Sequence, residues 1–599
     1  MYKDQLEKPL CYYAVSFIIG ITTYCLYLED LRLLLILPMI FLILAFWVIE
    51  KSYALIMLAF FILGLVCSGY YFNPKVEKDF INQVRIERTY GNNAIARYNG
   101  RTLKLYSIKE EKLLINKTYI IAGEYRKNIE VKDGIVGFVV VDKIAKGKED
   151  FISKIQDYKY NFYKKLADAI GERNSGLVVG LCLGDKAYIE DKDIDQFNEF
   201  GIIHIMCVSG FNLAIIFSLL KKIKGEWFAL LIVFFYTFLS GANNATIRAF
   251  IMISILTLSR KAFKNYDGVS SISLAAILIL LFKPYEIIGA GFNLSFLATL
   301  GIIIFNSKIE RYLYKVPSPI RESLALDFSS QVTTIPYMLM VFNNIAIGSV
   351  LANLVLVPVY SLIIIVGNCL IVAYFLTPVF NCIAYLVQVL FFSVRGISHF
   401  LNMIMPRKLH GGYFEGISML LIYTSFILYK RGYRNFKCLP VILCLMMIIR
   451  TYCFIPTFEV IQYKSTCGII AKYKFYSELY LDSRIKSTKE ENQIKEIMQV
   501  DMVKDNTEKG SLEIGEFKLK IDNLDCISKD EFGEKKAITL SLEGSTKDFS
   551  YKFSEDKNIK NKNKGEKLVV LPTSYIEGYE YTPKTIYTIS FLGGKAFLY

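Results

Sequence analysis

Long apolar runs, each near the roughly 20 residues a helix needs to cross a bilayer, recur along the chain between short basic loops. The pattern predicts spans at 10–28, 31–49, 52–71, 201–220, 227–240, 242–259, 269–283, 287–306, 329–346, 349–376, 379–404, 414–430 and 438–454. A further run, 175–184, is too short to span and reads as re-entrant or interfacial. Two more runs follow the first at once and no small-residue cleavage site stands out, so the first reads as an uncleaved span.

Elsewhere the spacing changes. Residues 83–143 alternate apolar and polar positions in several short runs. Asn99-Gly100 sits between AIARY and RTLKLY, and Asn-Gly suits a two-residue hairpin because both positions need positive φ. KTYIIAGEYRKNIEV and DGIVGFVVVD read as further strands, which predicts a small β-barrel with an OB-like fold as one form. Residues 151–173 place Phe151, Ile155, Phe162, Leu166 and Ile170 on one helical face, as for a helix lying along the bilayer surface. Residues 456–599 mix strand-like runs with a polar stretch, KDFSYKFSEDKNIKNKNKGEK, that reads as a solvated loop. The fold class is a polytopic α-helical membrane protein with an external small β-barrel (OB-like) domain and an external β-rich or α/β C-terminal domain. The divisions are N-terminal spans 1–72, barrel 73–150, linker helix 151–174, membrane core 175–455 and tail 456–599.

Composition supports this class: 53% of the 599 residues are hydrophobic and the mean hydropathy is +0.36. The net charge is +15, and its distribution matters more than its sum. Basic and acidic residues balance at 23 each in 456–599, whereas 73–150 has 16 basic and 11 acidic. Much of the excess fits the positive-inside bias of membrane loops, and attraction to a polyanion is the other reading. Lys3 and Lys8 place the N-terminus in the cytoplasm. The clusters Lys221-Lys222-Lys224, Arg260-Lys261-Lys264, Lys308-Arg311-Lys315 and Lys430-Arg431-Arg434-Lys437 then fall inside, and 73–200 and 456–599 fall outside. Arg407-Lys408 is the one pair that disagrees. The protein is expected in the cell membrane. Of the twelve cysteines only Cys467 and Cys526 lie in the polar tail, where an outside location would permit a disulfide.

The candidate chemistry is polar residues inside apolar runs. Asp185 follows a short apolar run; His204, Ser209 and Asn212 lie in GIIHIMCVSGFN; Asn243 and Arg248 lie in LSGANNATIRAFIM. Asn293 and Ser295 lie in GAGFNLSFLATLGI, Gln331 in SSQVTTIPYMLM and Asn353 in LANLVLVPVY. One polar side chain per span is ordinary helix–helix glue, worth about 0.6 kcal/mol. Several together, with an arginine and a histidine, point to a shared interior path. On the barrel, Arg97, Tyr98, Arg101, Lys104 and Tyr106 interleave base and ring, a surface that can stack bases and neutralise phosphates. Ordinary strand tyrosines and solubilising lysines fit the same pattern.

These motifs, in order, resemble the ComEC-type competence channel family. LVVGLCLGDKAYIEDKDIDQFNEFGIIHIMCVSGFNLAII is similar to that family's opening; the Arg248, Asn293 and Gln331–Asn353 segments resemble its later ones, from about 176 to 430. The resemblance implies a membrane core that carries single-stranded DNA into the cytoplasm during natural transformation, with an OB-like external domain meeting the DNA. It further implies external DNA-receptor and cytoplasmic motor partners, besides the lipid bilayer. Asn212 stands where the family has a second histidine, and it cannot titrate near neutrality. Many members end in a metallo-β-lactamase-like nuclease domain, yet His204, His399 and His410 are the chain's three histidines and none lies in 456–599. A catalytic, metal or cofactor site is accordingly not expected. A transporter of another anionic solute and a membrane-bound nuclease are the alternatives.

Overall fold

The computed structural model describes residues 8–31, 35–90, 93–106, 108, 113–206, 208, 210–262, 266–405, 409–463, 466–474, 476–481, 498, 500, 502–504, 510–514, 517–523, 537–544, 567–572, 584–592 and 595–598. The chain divides into two units, residues 1–334 with 346–407, and residues 335–345 with 408–599.

The first unit opens with helices α1 (Pro9–Leu28), α2 (Ile36–Val48) and α3 (Lys51–Phe72). Gly20 of α1 and Gly64 of α3 let the two backbones meet: a Cβ on Gly20 would strike the Phe61 carbonyl, and one on Gly64 that of Phe17. Ser16 Oγ adds a 2.6 Å bond to the Met57 carbonyl at this crossing. Five strands follow, β1 (Asp79–Tyr90), β2 (Asn93–Tyr98), β3 (Arg101–Tyr106), β4 (Thr118–Arg126) and β5 (Ile135–Lys146). They close a barrel in the order β1–β2–β3–β5–β4, with β3 and β5 parallel and β1 pairing back to β4. The barrel is OB-like, as the alternation predicts. Asn99 and Gly100 have φ of 48° and 79° at the β2–β3 turn. Alternate residues such as Phe80, Val84, Ala96, Leu103 and Ile121 fill the interior. This core is continuous with Tyr71 and Phe72 of α3 and with Leu280 of a later helix, so the barrel is seated on helix ends.

Helix α4 (Phe151–Ile170) starts at Asp150, whose carboxylate caps the Ser153 N–H at 2.9 Å. Phe162, Leu166 and Ile170 are buried as expected, but Phe151 is exposed and Lys159 is buried in its place. The apolar face of α4 packs on protein, not along a lipid surface. Phe162 meets Phe380, and Lys165 Nζ donates to the Tyr374 carbonyl at 2.6 Å. Helix α5 (Glu172–Leu183) is buried at every residue from Asn174 to Leu183. Residues 174–183 thus lie in the helical core. The run 175–184 is therefore a half-length helix inside the protein.

After α6 (Asp191–Glu199) comes a second correction. The run 201–220 is broken: Ile203–Met206 make a single tight turn, and α7 starts only at Gly210 (Gly210–Lys224). Helices α8 (Glu226–Leu239), α9 (Asn244–Lys261), α10 (Gly268–Phe282), α11 (Ala290–Tyr312), α12 (Ser318–Phe342), α13 (Ser349–Val372) and α14 (Thr377–Ile404) follow. Lys8, before α1, bonds Asp267, the N-cap of α10, at 2.7 Å, so these two helices begin at the same end of the unit. Among the described residues five helices are long and apolar enough to cross a membrane: α1, α3, α11, α14, and α13 with the turn after it.

In the second unit the pair β6 (Asn344–Ile345) and β7 (Leu409–His410) precedes helices α15 (Tyr413–Lys430) and α16 (Leu439–Thr451). The tail is built of strands β8 (Cys453–Tyr463), β9 (Thr466–Lys474), β10 (Tyr476–Leu481), β11 (Met502–Lys504), β12 (Gly510–Ile514), β13 (Phe517–Asn523), β14 (Ala537–Gly544), β15 (Lys567–Pro572), β16 (Lys584–Leu592) and β17 (Lys595–Leu598). They form a six-stranded sheet, β11–β10–β9–β8–β16–β17, and a four-stranded meander, β12–β15. The tail is thus β-rich. The polar loop read at 547–567 lies almost wholly outside the described residues, and so does Cys526.

Candidate functional site

Polar residues of the helical region form a seam across helices α9, α11, α12 and α13. Arg248 of α9 donates through Nε to Ser295 Oγ of α11 at 3.0 Å and through Nη1 to Thr299 Oγ1. Its guanidinium lies 5.9 Å from the centre of the Phe296 ring. Thr333 Oγ1 of α12 donates to the Leu297 carbonyl of α11 at 2.8 Å. Gly301 fits against the Ser329 carbonyl and Thr333 Oγ1, which lets α11 and α12 come close. On the other side of α12, Gln331 Nε2 lies 3.4 Å from Ser349 Oγ and 3.0 Å from the Asp327 carboxylate. Asn353 Nδ2 of α13 donates to that same carboxylate at 2.6 Å.

The broken stretch 201–210 runs between the two ends of this seam. A Cβ on Gly201 would meet Ser349 and Ala346, and one on Gly210 would lie 3.6 Å from Arg248 Nη2. Between them His204 is solvent-accessible, while Ile202, Ile205, Met206 and Val208 around it are buried. Non-helical backbone at membrane depth is tolerated where it is buried in protein or lines a wet cavity. Ser209 lies outside the described residues.

The structure brings together Arg248, Ser295, Gln331 and Asn353, and His204 lies in the stretch between Gly201 and Gly210. It sets four other predicted lining residues to structural work. Asn212 is buried and donates to the Leu181 carbonyl at 3.1 Å, tying α7 to α5. Asn243 caps α9 by accepting from Thr246 N at 2.9 Å. Asn293 donates to the Ile287 carbonyl at 2.8 Å. Asp185 makes a turn with Ala187 N and accepts from Gln156 of α4 at 2.7 Å. Each was read as lining because its run is apolar; each satisfies a backbone group at a helix end or crossing. Asp327 was missed because the predicted span began at 329. Its signal was the spacing Asp327–Gln331, two polar residues one turn apart.

On the barrel most of the interleaved basic residues are likewise engaged. Arg101 donates to the Tyr71 and Tyr70 carbonyls at 2.9 and 2.6 Å, the unpaired last turn of α3, and stacks over Tyr70. Tyr98 packs edge-on against Phe80. Lys104 pairs with Glu130 at 3.2 Å and lies over Tyr106; its hydrogen bond to Tyr106 and that pair raise its pKa. Tyr106 also packs edge-on against Phe138. A flat stacking face across these five residues is therefore not what the strands present. Arg97 pairs with Glu87 at 3.0 Å, yet it also borders a polar cleft of about 290 Å³ with Gln83, Arg85, Asn99, Thr118 and Asp150. The Nε of Arg85 and the Nε of Arg97 are both buried there without a hydrogen-bond partner. Arg85 forms an ion pair with Asp150.

A helical membrane protein with an OB-like barrel and a polar seam between its helices is the class these features define. Residues 181–432 match the family described as Competence protein, so the resemblance to the ComEC-type competence family stands over that segment. ComE operon protein 3 of Bacillus subtilis is 25% identical over 228 residues, 37% of this chain and 29% of that protein. An uncharacterised Mycoplasma genitalium protein, MG316, is 31% identical over 170 residues, 27% of this chain and 42% of that one. An uncharacterised Aquifex aeolicus protein is 33% identical over 113 residues, 18% of this chain and 27% of that one. The matched segments thus cover less than half the length of each of these relatives. No solved structure matches.

Proposed function

We propose that the chain is a cell-membrane channel that moves single-stranded DNA into the cytoplasm during natural transformation. The observation that carries this reading is Arg248. Among the described residues its partners are all neutral: Ser295, Thr299, Met252 and the Phe296 ring. A fixed cation at membrane depth is costly without a counter-charge, and a passing phosphodiester supplies one. Ser295 and Thr299 hold the guanidinium in place, and Gly210 keeps one face of it open. The competence family of residues 181–432 supports the same substrate.

In this reading the N-terminus is cytoplasmic, and the barrel and the tail are external. The barrel domain, with 16 basic and 11 acidic residues over 73–150, meets the phosphate backbone before it enters. A receptor outside and a motor inside complete the route, and the chain itself is a conduit, not a catalyst. The test is entry of labelled free DNA into the host, comparing wild type, a deletion and Arg248→Ala at matched protein level. Loss of entry with normal surface binding is the expected result. Unchanged entry in the deletion overturns the proposal and favours another anionic solute as cargo.

A further inference from the structure

Helix α12 carries a carboxylate that no positive charge answers. Asp327 Oδ1 accepts from Gln331 Nε2 at 3.0 Å and from Asn353 Nδ2 at 2.6 Å. Its Oδ2 is shut off from solvent and has no hydrogen-bond partner among the described residues, and the same is true of Asn353 Oδ1. Two orphan oxygens therefore belong to residues already joined to each other. Both are acceptors. A water can donate to both acceptors but leaves the buried charge uncompensated, and an anion adds to it; a cation or a proton answers the charge as well.

The groups that face Asp327 are neutral. Gln331 comes from its own helix, and Ser349 and Asn353 come from α13, which has no charged residue. The charges of α11, Lys308, Glu310 and Arg311, lie at its C-terminal end. There Glu310 pairs with Arg321 of α12 at 3.6 Å, and Glu322 beside it is exposed. The turn 201–206 reaches Ser349 through Gly201 and brings His204 to the same neighbourhood. The site offers one formal negative charge among neutral oxygens. That matches one unit of positive charge; a divalent ion would leave a surplus charge buried.

The geometry points to a binding site for a single monovalent cation, H⁺ or Na⁺, built by Asp327, Asn353, Gln331 and Ser349. It adjoins the seam at its α13 end, where an ion bound or released alters the packing of α12 on α13. The inference does not rest on the nature of the transported polymer.

The test uses the full-length protein in liposomes and a hydrophobic carbodiimide, which modifies buried carboxyls only when they are protonated. Modification of Asp327 is read by mass spectrometry. A proton site gives a rate that falls about tenfold per pH unit on the alkaline side of its midpoint and ignores Na⁺. A sodium site gives a rate that Na⁺ suppresses saturably at fixed pH while choline does not. Asn353→Leu moves the pH midpoint or the half-protecting Na⁺ concentration severalfold in either case, and Asp327→Asn removes the signal. Absence of modification at Asp327 at every pH, or a wild-type rate indifferent to both pH and Na⁺, overturns the proposal. A midpoint unmoved in Asn353→Leu also overturns it, because a residue that only packs the helices leaves it in place.

Discussion

Arg101 and Arg248 invite comparison. Both interrupt an apolar or alternating run, and both were singled out as candidates for contact with a polyanion. Arg101 of the barrel donates to two backbone carbonyls at the end of α3 and rests on the Tyr70 ring. Those carbonyls carry the negative end of the helix dipole and have no partner within the helix. The arginine is thereby a cap, and it fixes the barrel to the membrane helices. Arg248 has hydroxyls, a thioether and a ring, but among the described residues no carboxylate and no helix end. The difference teaches that a basic residue marks a site only when its counter-charge is missing.

The strongest way to break this comparison is to remove each guanidinium in turn. Arg248→Ala is expected to lower DNA entry about 10- to 100-fold, the factor that a charge-assisted interaction of roughly 1.5–3 kcal/mol supplies. Arg248→Lys keeps the charge and loses the fork that reaches both Ser295 and Thr299, so it should fall between. Entry by Arg248→Ala at the wild-type rate, in protein that is folded and present at normal level, makes the residue packing. The smaller effect is at Arg101. Arg101→Ala should leave DNA binding by the intact protein within about twofold, since the side chain faces α3, not solvent. It should instead destabilise the barrel by about 1.5–3 kcal/mol, read as faster hydrogen exchange across residues 79–146. A large loss of DNA affinity with unchanged exchange reverses the assignment.

How far the sequence carried depends on the range of the interaction that decides each feature. Helix identity is local, and every predicted run coincides with helix over most of its length. The barrel was legible from alternation and from Asn99-Gly100, because strand period and turn chemistry are also local. The break at Ile203–Met206 was not, since GIIHIM is as apolar as a helix and only its packing between Ser349 and Arg248 requires the turn. The burial of α5 was hidden because twelve residues cannot declare whether lipid or protein surrounds them. Site residues suffered most. Asn212 and Asn243 look like Gln331 in sequence, and only the group each amide donates to separates them: the Leu181 and Val208 carbonyls for the two asparagines, an interior carboxylate for Gln331.

The smallest expected effect lies at the barrel cleft, and it sharpens the contrast from the other side, because Arg85 has a counter-charge and should show it. Burial by itself raises the Asp150 pKa, but the Ser153 N–H, the Arg85 guanidinium and the Ser153 hydroxyl outweigh it, and the net shift is downward. A carboxylate whose folded pKa is depressed binds protons more weakly in the folded than in the unfolded chain. Its contribution to stability is therefore complete above the unfolded value, about 3.9 for aspartate, and is lost as pH falls through the lower folded value. The pair is partly exposed, so the contribution is no more than about 1 kcal/mol. Asp150→Asn should then speed hydrogen exchange in residues 79–90 and 151–158 at neutral pH, relative to wild type under the same conditions. The gap should close as pH drops below about 4. No gap at neutral pH means that Asp150 acts only as the cap of α4, which asparagine serves nearly as well, and that the pair with Arg85 adds nothing measurable.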